Sequence, residues 1–276
     1  MPIYDYHGNE LQTHKEGSSF FENMTIEYCR DNTANTNYSI IRVFKKKIDG
    51  SYQYPFIREL PYGPEYVTAY TLAEREGWPL VINGGGWEGP GVQNGAVARD
   101  DEPWDIGGAS VLTIDANGDL GFANNMWHQG SAQTLVNQGI VSAFYYFMPI
   151  IVNYADYDWQ TALPDMPANK TYGNHNWVIS QKQIIGQYEN GDYCIITAEG
   201  RGFNNSTGFT IVQTQTLCKN LGLKFAFYMD GGGSTQTVLG KKRINHCFYD
   251  NNGTAERQLP GFIVFNGTDR YKIPNQ

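Results

Sequence analysis

Short apolar segments, separated by Gly, Asn and Asp residues, run through most of this sequence and predict strands more often than helices. Residues 38–44 alternate well enough between apolar and polar positions to form a strand, and residues 80–82 form a short apolar run typical of a buried one. Residues 141–152 are apolar over a longer stretch, but Pro149 interrupts them, so we interpret this stretch as strands rather than one helix. The last predicted strand covers residues 261–265.

Three hairpins are predicted where two such segments flank a turn sequence. Their strands are residues 110–114 with 120–122, residues 184–188 with 193–197, and residues 235–239 with 243–244. The second hairpin is the clearest, because it turns at Asn190-Gly191, the kind of residue pair best suited to a type I′ turn. The third turns at Gly240-Lys241.

Two segments have the period of a helix instead. Apolar residues recur with an approximate 3.6-residue period in residues 65–76, and Gly77 follows as a stop signal. Residues 207–221 are interpreted as a second helix, with Gly222 placed to cap its C-terminus, and a strand at residues 224–229 follows. Many hairpin-forming strands with only two or three helices indicate an α+β fold built on a mixed or antiparallel β-sheet.

The chain has one principal domain by the same reading. No internal repeat and no low-complexity linker divides its 276 residues. Residues 1–36 are polar and weakly patterned, and we interpret them as an N-terminal arm with little core of its own. Residues 37–276 are then the folded domain, which is long enough to bury a sizeable core without disulfides or bound metals.

Composition narrows the possible partners. Charged residues make up 17% of the chain and aromatic residues 14%, a mixture that suits an aromatic β core and also suits sugar binding through exposed rings. The net charge is −8 and basic runs are short, so we expect no nucleic-acid partner, which would need a broad basic face. The four cysteines lie far apart, and free thiols are favoured over two disulfides.

Cofactors and membranes are not expected either. No cluster of His, Cys and acidic residues has the spacing of a zinc site, and no loop has the spacing of a calcium site. No segment approaches the roughly 20 apolar residues needed to cross a bilayer. The first residues have no basic stretch followed by an apolar one, so we expect a soluble chain without an export signal and without membrane contact.

The most informative segment is the turn Asp230-Gly231-Gly232-Gly233-Ser234. Consecutive glycines permit positive φ and close approach of a ligand to the backbone, and successive N–H groups in such a turn can bind an anionic oxygen. The spacing differs from that of a phosphate-binding P-loop and the lysine of that motif is missing, so a nucleotide-binding function is disfavoured. A plain turn between strands remains an alternative for the glycines alone.

This turn and its surroundings resemble the phosphodiester glycosidase family, whose motif at the end of a strand reads L-D-G-G-G-S. The chain has Met229 before that turn and Thr235 after it, and a helix and a strand precede the motif as in the family. Four further segments match in the right order, together covering roughly residues 64–265: Asn83-Gly84-Gly85-Gly86-Trp87, Lys182-Gln183-Ile184-Ile185-Gly186, Ala198-Glu199-Gly200-Arg201, and Arg257 before the last strand.

The resemblance implies a glycosidase that hydrolyses a sugar-phosphodiester or related α-glycoside bond and releases the sugar. It implies that Asp230 and Glu199 are the two catalytic acids, since glycoside cleavage usually requires two carboxyl groups in separate roles. It also implies a set of residues that bind the phosphate or the sugar: Asn83, Lys182, Arg201, Gly231, Gly232, Gly233, Ser234, Thr235 and Arg257.

Two positions depart from the family pattern. Lys182 stands where the family has Arg, and a lysine lacks the bidentate fork of a guanidinium. Glu199 stands where the family has Asp, which moves the carboxyl by one methylene. These departures keep an alternative open, namely a non-catalytic glycan-binding module of a phage tail or cell-surface protein. The first residues are loosely similar to the openings of some phage tail-associated proteins, so the expected location is a phage virion or the cytoplasm.

Overall fold

The computed structural model describes eleven stretches of the chain: residues 3–4, 10–11, 23–60, 65–85, 89–101, 110–126, 128–145, 148–158, 179–240, 242–246 and 255–265. Gly86, Trp87, Lys241 and Cys247, which the sequence singled out, lie outside them.

Strands make up most of the regular secondary structure in the described stretches. In chain order they are β1 (Ile3–Tyr4), β2 (Glu10–Leu11), β3 (Met24–Asp31), β4 (Thr36–Val43), β5 (Phe56–Glu59), β6 (Leu80–Asn83), β7 (Pro90–Gln93), β8 (Ala96–Asp100), β9 (Ser110–Asp115), β10 (Leu120–Asn124), β11 (Ile140–Tyr145), β12 (Met148–Val152), β13 (Ala155–Asp156), β14 (Lys182–Gln187), β15 (Tyr193–Ala198), β16 (Phe225–Tyr228), β17 (Thr237–Leu239), β18 (Lys242–Arg243) and β19 (Gly261–Phe265). The helices are α1 (Ala69–Glu76), α2 (Ser131–Asn137) and α3 (Ile211–Asn220), with single 3₁₀ turns at Phe203–Asn205 and Gly232–Ser234.

These strands form three larger sheets and one small hairpin. A seven-stranded sheet has the order β13-β12-β16-β14-β15-β4-β3. Two five-stranded sheets have the orders β10-β9-β11-β7-β8 and β18-β17-β6-β19-β5, and β1 pairs with β2. The strand pairs found within the described stretches are antiparallel, so the predicted α+β class with hairpins and few helices is confirmed.

One hydrophobic core joins the three sheets. The seven-stranded sheet contributes Ile41, Ile195 and Phe227 to it, and the five-stranded sheets contribute Phe144 and Ile263. Each of these side chains is completely or almost completely removed from water. The arrangement explains why β6, β15 and β16 are buried at every position, because both faces of these central strands are covered.

The outer faces are covered by the helices. Leu72 of α1 packs with Phe262 of β19, and Leu135 of α2 packs with Val111 of β9. Cys218 of α3 lies in the cluster on the outer face of the seven-stranded sheet. Cys29, Cys194 and Cys218 are free thiols, as predicted.

The two predicted helices exist, but each begins later than the sequence pattern indicated. Thr68 caps α1, since its side chain accepts a hydrogen bond from Thr71 N. Thr210 and Gln213 form a capping box at the start of α3. The residues before each cap are therefore outside the helix, although they continue the apolar pattern. Helix α2 was not predicted.

The N-terminal arm differs from its prediction over part of its length. Met24–Asp31 forms strand β3, which pairs with β4 along eight positions at the edge of the seven-stranded sheet. Met24 and Ile26 are buried in the shared core. The expectation of little core was wrong for this stretch, because the partner strand that buries its alternate residues comes from outside the arm.

The antiparallel pairing brings several strand ends to one edge. Lys182 at the start of β14 pairs with Ala198 at the end of β15. The end of β16, which leads into Asp230, lies beside the same end of β14. Residues that are far apart in the sequence therefore meet at this edge. No helix in the described part of the chain is both long and apolar enough to span a membrane.

Candidate active site

Asp230 lies at the centre of the candidate site and is half-buried. Its carboxylate accepts hydrogen bonds from the Ser234 hydroxyl and from the Gly231 N–H, and the guanidinium groups of Arg257 and Arg201 lie near enough to favour its charged form. Burial has the largest effect and raises the pKa of Asp230 above its ordinary value, while these four groups oppose the rise. Arg257 Nη1 also donates to Ser234 Oγ at 2.9 Å, so one chain of hydrogen bonds links Arg257 to Asp230 through Ser234.

The glycine turn is closely packed rather than open. A Cβ atom at Gly231 would lie 2.6 Å from Gln181 O and 2.7 Å from the Tyr228 hydroxyl. Gly232 has a φ of +57°, and a Cβ atom there would collide with the guanidinium of Arg201. Glycines are required at both positions because other parts of the site occupy the space of a side chain.

The backbone N–H groups of the turn, which were expected to bind an anion, are only partly available. Gly232 N donates to Gln181 O at 3.1 Å, Ser234 N to Gly231 O at 3.2 Å, and Thr235 N to Gly232 O at 3.1 Å. These three N–H groups are therefore used inside the protein, which corrects the simple picture of an open row of donors. Thr235 is fully buried. Gly231 N bonds the Asp230 carboxylate.

Arg201 reaches the turn from a neighbouring loop. Its backbone has a φ of +57°, and its guanidinium packs against Gly232. The residue is exposed overall, so the charged group lies at the solvent side of the turn. Its positive charge acts on Asp230 and also lowers the pKa of Lys182.

Lys182 lies deeper than the sequence suggested. Its side chain is almost fully buried, Nζ donates to Ser180 Oγ at 2.7 Å, and Nζ lies 5.4 Å from the ring centroid of Tyr228. Burial, with a smaller effect of Arg201, lowers the pKa of Lys182 to about 8. Lys182 therefore places a positive charge beside the ring of Tyr228, and the hydroxyl of Tyr228 packs against Gly231.

Glu199 is the second buried acid of this edge. Its Oε1 accepts hydrogen bonds from Asn204 Nδ2 and His246 N, each at 3.0 Å. Across the described residues, its Oε2 has no hydrogen-bond partner. Burial raises the pKa of Glu199 to about 7, and the two N–H donors oppose that rise. A carboxyl group with this pKa can give or take a proton near neutral pH.

The side chain of Asn83 bonds both ends of the turn. Its side chain is fully buried, Nδ2 donates to Asp230 O at 2.9 Å, and Oδ1 accepts from Gln236 N at 3.1 Å. The amide thereby joins both ends of the segment from Asp230 to Gln236. Asn83 was predicted to bind substrate, and in the structure its amide bonds the backbone of the turn.

Sequence reasoning missed several residues of the same edge. Gln181 binds Gly232 N through its backbone oxygen, and its Nε2 donates to His246 O at 2.8 Å. Asn245 Nδ2 donates to Thr235 O at 2.8 Å. Neither residue belongs to a glycine-rich or charged motif. Their place at the site is seen only once the neighbouring strands are paired. Within the described stretches, no group of three or more His, Cys, Asp and Glu side chains is placed to hold a metal ion.

Comparison with known proteins identifies relatives of this arrangement. A family model described as phosphodiester glycosidase matches residues 76–266. The SPbeta prophage-derived uncharacterized protein YomE of Bacillus subtilis is 24% identical over 242 residues, a stretch that covers 81% of this chain and 36% of that protein. The chain thus spans about a third of the length of this relative.

Two solved structures share the fold. The catalytic domain of zebrafish N-acetylglucosamine-1-phosphodiester alpha-N-acetylglucosaminidase, auto-inhibited by its pro-peptide, superposes with a TM-score of 0.67 at 15% identity, covering 88% of this chain and 82% of that one. A hypothetical protein from Synechocystis superposes with a TM-score of 0.62 at 10% identity, covering 88% of this chain and 62% of that one. At these identities the two structures establish the fold.

Proposed function

Because this chain belongs to the phosphodiester glycosidase family, we propose that it hydrolyses the bond between the anomeric carbon of a sugar and the bridging oxygen of a phosphodiester. Water supplies a hydroxyl group to the anomeric carbon and a proton to the departing oxygen. The products are the free sugar and a phosphomonoester. Related α-glycosides, in which another good leaving group occupies the anomeric position, are the second substrate class.

The contact set of Asp230 is the observation that carries this proposal. Its carboxylate is held by Ser234 and Gly231 and faces the guanidinium groups of Arg257 and Arg201. An aligned carboxylate suits either attack on an anomeric carbon or stabilisation of the positive charge that develops there. The two arginines are placed to bind the anionic phosphate, for which a guanidinium is well matched.

Glu199 is proposed as the proton-transferring partner of Asp230. Its pKa, raised by burial to about 7, leaves it able to exchange a proton under neutral conditions. Two carboxyl groups with different surroundings are the usual arrangement for glycoside cleavage. A phosphomonoester is already a good leaving group once its charge is met, so Arg201, Arg257 and the more distant Lys182 share the work of leaving-group stabilisation.

A non-catalytic glycan-binding module is the second candidate. The burial of Lys182 against Ser180 favours it, because the family has an arginine at this position and the lysine here lies behind Tyr228. A role in a phage particle fits either candidate, since a relative is prophage-derived.

Product release separates the two candidates. Wild-type protein is incubated with a panel of sugar phosphodiesters and simple α-glycosides, and free sugar and phosphomonoester are both quantified. We expect equal amounts of the two products from a diester. We also expect Asp230→Asn to keep affinity within a few-fold while turnover falls about 1,000-fold or more, because the group acts in the transition state.

Two results would contradict this proposal. Wild-type protein that binds the sugars but releases no product from any compound would support the binding module. Asp230→Asn that hydrolyses as fast as wild type would place the catalytic centre elsewhere. Ser51→Ala is a matched control, because Ser51 lies in an exposed turn at Asp49 and its loss should change neither quantity.

A further inference from the structure

The loop that follows β15 carries Arg201 and has an unusual backbone. Arg201, Asn204 and Asn205 have φ values of +57°, +49° and +52°, in the left-handed region that side chains seldom adopt. Asparagine tolerates this region better than most residues do. A loop with several such residues keeps one shape only where surrounding contacts determine it.

The hairpin of β3 and β4 supplies those contacts. Asn37 Nδ2 donates to Asn204 O at 2.8 Å, and Asn37 N donates to Ser206 Oγ at 3.0 Å, contacts that join residues 167 and 169 positions apart. Glu199 N in turn donates to Asn37 O at 2.9 Å. Arg30 Nη1 donates to Asn37 Oδ1 at 2.8 Å, so the Asn37 side chain is itself fixed. This hairpin precedes residues 76–266, the part of the chain that matches the family.

Asn204 of this loop in turn contacts Glu199. Asn204 Nδ2 donates to Glu199 Oε1 at 3.0 Å, and the same oxygen accepts from His246 N. Two donors on one oxygen fix the rotation of the carboxyl group. Oε2 is buried and has no hydrogen-bond partner among the described residues, so the two donors act on Oε1 alone.

From this geometry we propose that Asn204 is a positioning residue for Glu199, and that Asn37 of the β3–β4 hairpin holds Asn204 in place for that role. The inference rests on the proposed function, because positioning matters only if Glu199 takes part in the reaction. It extends the functional unit beyond the segment that the family match covers.

The charge state of Glu199 reports on this contact. A neutral N–H donor favours the ionised carboxyl, so the Asn204 hydrogen bond lowers the pKa of Glu199 against the larger effect of burial. Other charged or titratable side chains described at this edge are Lys182 on β14, Arg201 on the loop, Tyr228 on β16, Asp230 after it, His246 beyond β18 and Arg257 before β19. They are unchanged by a substitution at Asn204, so a shift in the pKa of Glu199 can be assigned to the lost donor.

Asn204→Gly and Asn205→Gly form a matched pair. Both replace an asparagine of left-handed φ by glycine, which adopts that conformation readily, so the backbone consequence is the same. Only Asn204→Gly removes a donor to Glu199. Asn204→Asp is a third variant of nearly the same shape, in which an acceptor replaces the donor.

The experiment measures the pKa of Glu199 by carbon NMR of labelled glutamate, with Glu199→Gln to assign the signal. We expect an upward shift of about half a unit to one unit in Asn204→Gly, a larger one in Asn204→Asp, and none in Asn205→Gly. The limb of the pH profile of kcat that reports Glu199 should move by the same amount, kcat at neutral pH should fall about 10-fold, and KM should change less than about 2-fold.

The inference is overturned if Asn204→Gly leaves the pKa of Glu199 where it is in wild type, or if Asn205→Gly shifts it equally. The NMR titration does not need turnover. If the wild type hydrolyses no substrate but the pKa shift occurs, the proposed function fails while the structural link between Asn204 and Glu199 stands, and its role as a positioning residue for catalysis is rejected.

Discussion

At the scale of single residues, Glu199 is buried and Asp230 is half-buried, and the two acids have different neighbours. Glu199 accepts two neutral N–H groups on one oxygen, whereas Asp230 combines a hydroxyl and an N–H donor with two nearby guanidinium groups. Positive charge favours an ionised Asp230, and burial without an opposing charge favours a protonated Glu199. The surroundings of the two acids therefore favour different protonation states.

The pKa of Glu199 predicts a specific dependence of stability on pH. Because burial raises it from 4.5 to about 7 in the folded protein, the folded state holds an extra proton between these values, and stability decreases as pH rises through this window. Glu199→Gln removes this contribution. We expect the variant to gain on the order of 2–3 kcal/mol relative to wild type between pH 4.5 and pH 7.

Urea unfolding of both proteins at several pH values measures this difference. Glu65→Gln, which changes an exposed carboxyl group, should run parallel to wild type. A difference between Glu199→Gln and wild type that stays constant over the window would show that Glu199 titrates normally.

The sequence motif predicted Asp230, Arg201, Arg257 and Glu199 as site residues, and in the structure they lie at one edge of the sheets. It did not reveal Asn204, because the hydrogen bonds of this residue with Glu199, Asn37 and Ser206 come from the folded loop rather than from a motif. Nothing in the sequence indicated that the amide of Asn83, predicted as a substrate-binding group, bonds the backbone at both ends of the turn.

At the scale of elements, the glycine turn shows how a strand end becomes a site. Strand β16 leads into Asp230, and the 3₁₀ turn at Gly232–Ser234 folds the chain back into β17. The turn packs so closely on Gln181 and Tyr228 that only glycine fits at Gly231. Its shape is therefore set by contacts with β14 and β16.

Gly232→Ala tests the role of this packing. We expect a stability loss of about 1 kcal/mol from the positive φ, together with displacement of the Arg201 guanidinium and at least a 10-fold loss of sugar-phosphodiester affinity. Gly77→Ala is the control, since Gly77 has a φ of +68° with nothing near its missing Cβ, and it caps α1 outside the site. Calorimetric titration showing equal affinity for the two variants would mean that the Arg201 contact does not matter.

Elements with a strong local signal were predicted, and those defined by distant partners were not. The three predicted hairpins occur, because turn residues and alternating patterns are local. Strands β5, β7 and β8 were missed; the first three residues of β8 are all exposed, so no buried face marks this strand in the sequence. Helix α2 lacks a side-chain cap, so the sequence offers little to mark its start.

At the scale of the whole molecule, three sheets share one core, and strand ends from two of them meet at the site, namely those of β14, β15 and β16 in the seven-stranded sheet and of β6 and β17 in a five-stranded one. The family match covers residues 76–266, yet β3 and β4 complete the seven-stranded sheet and β5 pairs with β19. The sequence predicted the fold class, but it assigned β3 to a polar arm, because its apolar residues are buried only when β4 and the opposite sheet are in place. The site is thus a product of the complete sheet system.

The central claim is that the anomeric C–O bond is broken, and hydrolysis in ¹⁸O-labelled water tests it directly. Cleavage at the anomeric carbon, supported by Asp230 and Glu199, puts the label into the hydroxyl of the released sugar and leaves the phosphomonoester unlabelled. Mass spectrometry of both products after a single turnover reads the outcome. Label in the phosphomonoester would mean that water attacks phosphorus, which would make the protein a phosphodiesterase and contradict the assignment of the two acids.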